Sequence, residues 1–121
     1  MNARRRILVV DDEQEIIDLL QEYLSSSHDV DTAVNATQAI ERIRVARPDL
    51  VFLDINMPGL NGVQGLKLIK QIDTTIPVLM VTANTDNALA AEAIKLGAFS
   101  YIPKPFNFKY LDHLIAAAWS R

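Results

Sequence analysis

The chain of 121 residues is half hydrophobic and 22% charged, which is the composition of one ordinary globular domain. Its formal net charge of −3 offers no clustered basic surface, so we expect no direct binding of nucleic acid. The lack of cysteine excludes disulfides and thiolate metal sites, and it is compatible with the cytoplasmic location that we expect. No apolar run approaches the ~20 residues that a membrane span needs.

The first half of the chain alternates short apolar runs with segments of helical spacing. Residues 7–10 predict a buried strand, and residues 30–34 predict a weaker strand nearer the edge of a sheet. A helix between them carries its apolar stripe on Ile16, Leu19, Leu20, Tyr23 and Leu24. A second helix begins after Asn35, a predicted N-cap with Gln38 in capping-box position, and ends before Pro48.

The middle of the chain contains the most apolar strand. Residues 50–53 form a continuous apolar run, as expected for a parallel strand that is covered on both faces, and Asp54 ends it. A third helix follows, with apolar positions at Val63, Leu66, Ile69 and Ile72. Residues 77–81 predict a fourth strand, which ends on Thr82.

The last part of the chain repeats the same alternation. Thr85 or Asp86 caps a fourth helix that stops at Gly97, residues 100–102 predict a short fifth strand, and Asn107 caps a last helix. A strand followed by a helix, five times over, predicts an α/β domain with a parallel sheet, right-handed crossovers and helices on both faces.

Polar side chains follow the strands that are expected to be central. They are Asp11 and Asp12 after strand one, Asp54 after strand three, Thr82 after strand four, and Lys104 after strand five. The carboxyl ends of parallel strands share one rim of the sheet, where ligands bind in open α/β folds. Three carboxylates there would raise one another's pKa, so a positive charge must offset them. Lys104 supplies one, and an oxygen-only ligand set favours Mg²⁺, with Mn²⁺ possible.

These groups together suit the transfer of a phosphoryl group. A metal-bound carboxylate, a lysine and a hydroxyl can neutralise phosphoryl oxygens, and Asp54 can then act as the nucleophile and form an acyl phosphate. No glycine-rich phosphate loop is present, so a nucleotide is not expected as the direct substrate. His28 and His113 are expected on the surface, away from this rim.

Four stretches of the chain resemble the receiver domain of two-component response regulators. They are ILVVDDE (7–13), PDLVFLDINMPGLNG (48–62), PVLMVTA (77–83) and GAFSYIPKPF (97–106). The resemblance covers essentially the whole chain and implies a single receiver domain over residues 1–121. The implied fold is the flavodoxin-like doubly wound sheet of five parallel strands in the order 2-1-3-4-5, with five helices.

The resemblance implies a role for each polar residue at the rim. Asp54 would accept a phosphoryl group from a sensor histidine kinase or a phosphotransfer domain. Asp12 and Asp54, with the main-chain carbonyl of Asn56, would hold Mg²⁺, and Asp11 would act mostly through water. Lys104 would pair with the phosphoryl oxygens. The protein would thus be a regulator that assists its own phosphorylation and dephosphorylation, and not an enzyme.

The resemblance also implies an output mechanism. Thr82 would hydrogen-bond the phosphoryl group, and Tyr101 would follow it inward. This movement would change the surface formed by the fourth helix, the fifth strand and the fifth helix, through which a phosphorylation-dependent homodimer is possible. The bond between Lys104 and Pro105 is usually cis in the family.

Two other interpretations compete with this one. A phosphatase of the haloacid-dehalogenase type also uses an aspartyl phosphate and magnesium, but its nucleophile ends the first strand in an Asp-x-Asp pattern, whereas this first strand ends in Asp11-Asp12-Glu13. The third interpretation is an interaction module that takes up no phosphoryl group. The sequence leaves open the cognate kinase, the signal, the oligomeric state, the phosphoryl lifetime and whether an output domain follows residue 121.

Overall fold

The computed structural model describes residues 4–57, 62–83 and 87–120. Within these residues five strands alternate with five helices along the chain. They are β1 (Arg6–Val10), α1 (Gln14–Leu24), β2 (Asp29–Ala33), α2 (Ala36–Val45), β3 (Leu50–Asp54), α3 (Gly62–Ile72), β4 (Val78–Thr82), α4 (Asn87–Lys95), β5 (Ser100–Pro103) and α5 (Phe108–Trp119). None of the helices in this described part of the chain has the length and apolar character needed to cross a bilayer.

The strands form one parallel sheet in the order β2-β1-β3-β4-β5. The predicted flavodoxin-like topology, with β2 at an edge, is therefore confirmed. In the register of the sheet, Val10 of β1 lies beside Leu53 of β3, and Asp54 lies beside Val81 of β4. The ends of the three central strands consequently meet at one rim.

Two apolar cores cover the two faces of the sheet. Because side chains alternate along a strand, Val9 and Phe52 face the core that α1 and α5 close, while Leu8 and Leu53 face the core under α2, α3 and α4. Every residue of β3 is buried. This double coverage explains why β3 is a continuous apolar run, as the sequence predicted.

Some predicted core positions are wrong because the apolar residue lies off the buried stripe of its helix. Leu19 is 41% exposed, and Ile17 is buried in its place, three residues before Leu20 and seven before Leu24. Ile72 is 38% exposed at the end of α3, because three successive spacings of three residues turn its side chain by about 180° from that of Val63. A turn of 3.6 residues separates neighbouring side chains by about 100°, so a shift of one position moves a side chain out of the core.

Both of the predicted helix caps that lie within the described residues are confirmed. The Asn35 side chain accepts a hydrogen bond from the backbone N–H of Gln38 at 2.8 Å, and the Gln38 side chain accepts one from Val34 N–H at 3.0 Å. The Asn107 side chain accepts from Tyr110 N–H at 3.1 Å. The caps that were predicted for the fourth helix, Thr85 or Asp86, lie outside the described residues.

Gly62 allows the start of α3 to pack against the backbone at the end of β3. Its N–H donates to the carbonyl of Ile55 at 2.9 Å. A Cβ at this position would lie 2.3 Å from the carbonyl oxygen of Asp54, which is far inside van der Waals contact. At Gly65, which the sequence left unexplained, a Cβ would lie 3.5 Å from a methyl group of Leu53, an ordinary contact. Of these two glycines of α3, Gly62 is the one that the close packing requires.

We predict opposite effects on stability for alanine at these two glycines of α3. Gly62→Ala should lower the free energy of unfolding by about 1–3 kcal/mol, because rigid backbone must move to admit the methyl group. Gly65→Ala should raise it by up to about 1 kcal/mol, because alanine has the higher helix propensity and the added methyl fits. Urea denaturation of both variants measures this. Equal losses of stability would contradict the packing described for Gly62.

Candidate functional site

Two buried carboxylates face one lysine at the rim of the sheet. Asp11 follows β1 and is 1% exposed, and Asp54 ends β3 and is 2% exposed. The ammonium group of Lys104 lies 3.3 Å from Asp11 Oδ2 and 3.7 Å from Asp54 Oδ2. The structure thus brings together three of the four charged residues that the alternating pattern predicted at this rim, and Asp12, the fourth, lies in the same acidic cluster.

Backbone N–H groups fix the orientation of both carboxylates. Asp11 Oδ1 accepts from the N–H of Glu13 at 2.9 Å, and Asp54 Oδ1 accepts from the N–H of Asn56 at 3.0 Å. Each carboxylate thereby turns its second oxygen, Oδ2, toward Lys104. The second of these bonds also brings the main chain of Asn56 beside Asp54.

Burial and neighbouring charges shift the pKa values of Asp11 and Lys104. Desolvation raises the pKa of Asp11 from the ordinary 3.8 to about 6, with a further increase from the negative charge of Asp54, against the opposing effects of the Glu13 N–H and of Lys104. The sequence predicted repulsion between carboxylates as the cause, whereas burial is the larger one. Burial also tends to lower the pKa of Lys104, but its hydrogen bond to Glu13 and the charges of Asp11 and Asp54 outweigh this, and the pKa is raised.

The acidic cluster has the donor set of a hard cation. One carboxylate oxygen from each of Asp11, Asp12, Glu13 and Asp54 lies within 4.8 Å of the others. Asp11 Oδ2 is buried and has no hydrogen-bond partner among the described residues, although Lys104 lies nearby. Lys104 supplies a single positive charge beside four carboxylates, and oxygen ligands without nitrogen or sulfur suit Mg²⁺ or Mn²⁺ as a further one. The residues present therefore fit such an ion.

The hydroxyl and the aromatic ring that were assigned to a switch lie on neighbouring strands. Thr82 is 3% exposed, and its Oγ1 donates to the carbonyl of Ala83 at 2.9 Å. Tyr101 is 40% exposed and lies on β5, next to Met80 of β4. The Tyr101 ring therefore adopts an outward position here. The Lys104-Pro105 peptide bond is cis, as the resemblance implied, and the N–H of Lys104 donates to the carbonyl of Thr82 at 2.8 Å.

The structure adds Glu13 to the residues that the sequence assigned to the site. Its carboxylate lies 2.9 Å from the Lys104 ammonium group, although 91 residues separate the two in sequence. The only signal in the sequence was a third acidic residue after β1. His28 was predicted to lie on the surface, but it is half-buried. Its ring packs edge-on against the ring of Trp119, with 5.2 Å between the two ring centroids. His113 is exposed, as predicted.

Comparison with known proteins agrees with this geometry. Residues 7–116 match the family model described as the response regulator receiver domain. The chain is 41% identical over 120 residues to the DNA-binding response regulator MtrA of Mycolicibacterium paratuberculosis, covering 98% of this chain and 52% of that protein. It is 36% identical over 118 residues to the alkaline phosphatase synthesis transcriptional regulatory protein PhoP of Bacillus subtilis, covering 97% and 49%.

Solved structures share the fold over almost the whole chain. The receiver domain of NtrX from Brucella abortus has a TM-score of 0.90 and 38% identity, covering 94% of this chain and 98% of that one. Vibrio cholerae chemotaxis protein CheY4 has a TM-score of 0.89 and 28% identity, covering 96% and 99%.

The chain therefore belongs to the response regulator receiver domain family of two-component signal transduction. Receiver domains of this family bind Mg²⁺ through an acidic cluster, and response regulators receive phosphate from histidine kinases. The chain spans about half the length of the curated relatives that it matches, at 52% and 49% of the two described above.

We predict that Asp11→Asn stabilises the metal-free protein near neutral pH. A folded pKa of about 6 against an ordinary 3.8 means that folding costs free energy once Asp11 is ionised. The difference in unfolding free energy between variant and parent should be near zero below about pH 4. It should grow in favour of the variant up to about pH 6, and reach on the order of 1–2 kcal/mol. Urea denaturation in a chelator at several pH values measures it, and a pH-independent difference would contradict the burial of an ionised Asp11.

Proposed function

We propose that residues 1–121 form a single receiver domain in which Asp54 is the phosphoacceptor. The observation that carries this proposal is a buried carboxylate at the end of the central strand β3, with the Lys104 ammonium group 3.7 Å away. Asp11 and Asp12 lie in the same cluster, but they leave β1 and begin the turn into α1. Asp54 lies in the middle of the rim, which is the position that suits a ligand in this topology.

The proposed reaction is the transfer of a phosphoryl group from a phosphohistidine to Asp54. An Asp54 carboxylate oxygen forms the new bond to phosphorus, the bond from phosphorus to the histidine nitrogen breaks, and its electron pair stays on the imidazole. Asp54 thereby becomes an acyl phosphate. Lys104 pairs with the phosphoryl oxygens, since its charge is already held by the buried carboxylates and needs no large movement.

We further propose that Asp12 and Asp54, with the main-chain carbonyl of Asn56, hold Mg²⁺, and that Asp11 contacts the ion mostly through water. Mn²⁺ can take the place of Mg²⁺. The ion supplies positive charge that neutralises the phosphoryl oxygens. The exposure of Asp12 supports this arrangement, because an exposed carboxylate leaves room for water around the ion.

The proposed donor is a sensor histidine kinase or a phosphotransfer domain. We propose that the protein is a phosphoaccepting regulator in the cytoplasm and not an enzyme. MtrA is a DNA-binding response regulator and PhoP a transcriptional regulatory protein, and each is about twice as long as this chain. If a DNA-binding segment accompanies this domain, it would lie outside these residues. We propose no nucleic-acid contact by the receiver itself, whose net charge is −3.

We propose that the output passes through Thr82 and Tyr101 to α4, β5 and α5, whose surface can support a homodimer. The Thr82 hydroxyl now donates to Ala83, and a phosphoryl oxygen on Asp54 would compete for it. Movement of Thr82 would vacate space for Tyr101, whose ring is outward in the structure. Phosphorylation would shift the ratio of the two states by its differential affinity for them.

We predict that Asp54 is the residue that takes up phosphoryl groups. Incubation with acetyl phosphate and Mg²⁺ should add one phosphoryl mass to the parent, measured by intact mass spectrometry, and should add none to Asp54→Asn. The same incubation in a chelator should give little or no addition. Undiminished labelling of Asp54→Asn would overturn the assignment, and turnover of small phosphate esters by the parent would favour a phosphatase instead.

We predict that Thr82→Ala separates phosphorylation from output. The variant should take up the label at Asp54 largely as the parent does, since the hydroxyl is not the nucleophile. A phosphoryl mimic, beryllofluoride, should then change self-association less in the variant than in the parent, measured by sedimentation velocity. Equal responses of the two proteins, with amide exchange changing only around Asp54, would exclude this switch.

A further inference from the structure

Glu13 is the N-cap residue that precedes α1, but its side chain does not cap the helix. The side chain makes no hydrogen bond to the N–H groups of the first turn. The carboxylate instead reaches across the rim to Lys104, at 2.9 Å. A residue at the start of α1 is thereby joined to the loop that follows β5.

Lys104 faces three carboxylates, and Glu13 is the nearest of them. The distance from its Nζ is 2.9 Å to Glu13, 3.3 Å to Asp11 and 3.7 Å to Asp54. Hydrogen bonds from an ammonium group to a carboxylate are about 2.7–2.9 Å long. Lys104 is therefore hydrogen-bonded to Glu13, while its contact with Asp54 is electrostatic only.

We propose that Glu13 is a positioning residue that holds Lys104 in the unphosphorylated protein and competes for it with the phosphoryl group. This inference rests on the proposed function, in which Lys104 pairs with a phosphoryl group on Asp54. Uptake of the phosphoryl group then requires Lys104 to exchange its hydrogen bond with Glu13 for one with the phosphoryl oxygens.

The exposure of the pair suits such an exchange. The Glu13 side chain is 60% exposed, so water solvates its carboxylate once Lys104 leaves, whereas Asp11 and Asp54 are buried. Ion pairs with an exposed member are weak, which makes this one easy to break. A phosphoryl group carries about −1.5 to −2 charges and three acceptor oxygens, so it can outcompete a single exposed carboxylate.

The first test is the rate of phosphoryl uptake from acetyl phosphate at saturating Mg²⁺. Glu13→Gln should take up the label about two- to fivefold faster than the parent, because an exposed ion pair of this strength no longer competes for Lys104. Glu13→Asp retains the charge and should lie between the two. The affinity for beryllofluoride should rise by a similar factor in Glu13→Gln.

Glu15→Gln is the matched control. It removes the same charge from the first turn of α1, at an exposed residue with no recorded contact to Lys104 among the described residues. An equal acceleration in Glu15→Gln would mean that net charge, and not the contact with Lys104, sets the rate. This outcome would overturn the proposal.

A direct role of Glu13 as a metal ligand predicts the opposite sign. Glu13→Gln would then bind Mg²⁺ more weakly and take up the label more slowly, and calorimetric titration of Mg²⁺ would detect the loss. Uptake that is slower than in the parent, or unchanged, overturns the proposal. If the parent takes up no label, or Asp54→Asn labels equally, the proposed function fails instead, so the two failures are distinguishable.

Discussion

Two buried carboxylates opposed by one lysine are the constraint on which the rest of the structure depends. Asp11 and Asp54 are each at most 2% exposed, and the ammonium group of Lys104 lies within 3.7 Å of a carboxylate oxygen of each. The parallel sheet makes this meeting possible, because the ends of β1 and β3 lie side by side. Gly62 lets α3 begin directly against the backbone of Asp54. The site is therefore supported by main-chain contacts and by the register of the sheet.

The balance of charge at the rim is unfavourable for the protein alone and favourable for a ligand. Burial raises the pKa of Asp11 to about 6, so its ionised form costs stability at neutral pH. A cation that binds there recovers part of this cost and stabilises the folded state by mass action. Such conflict between stability and local charge is characteristic of functional sites. Lys104 faces Asp11, Glu13 and Asp54 at once, and a phosphoryl group at this rim would be a further negative group for it to contact.

The alternation of strands and helices predicted the parallel sheet and the main polar residues of its rim, because the carboxyl ends of parallel strands lie at one edge of the sheet. The resemblance to receiver domains supplied the strand order. The sequence was less accurate for helix faces, where Leu19 and Ile72 are exposed although their spacing fitted a buried stripe. The contact between Glu13 and Lys104 could not be predicted, since it depends on the loop after β5 folding back to the start of α1. The role of Gly62 could not be predicted either, because the sequence does not show how close the start of α3 lies to the backbone of Asp54.

The measurement that tests this account most directly is the position of the phosphoryl group among the clustered carboxylates. Reduction of the labelled protein with borohydride converts an aspartyl phosphate into homoserine, which peptide mass spectrometry locates. The account predicts homoserine at position 54, at the buried end of β3. Homoserine at position 11 or 12, or none in a protein that carries the label, would contradict it.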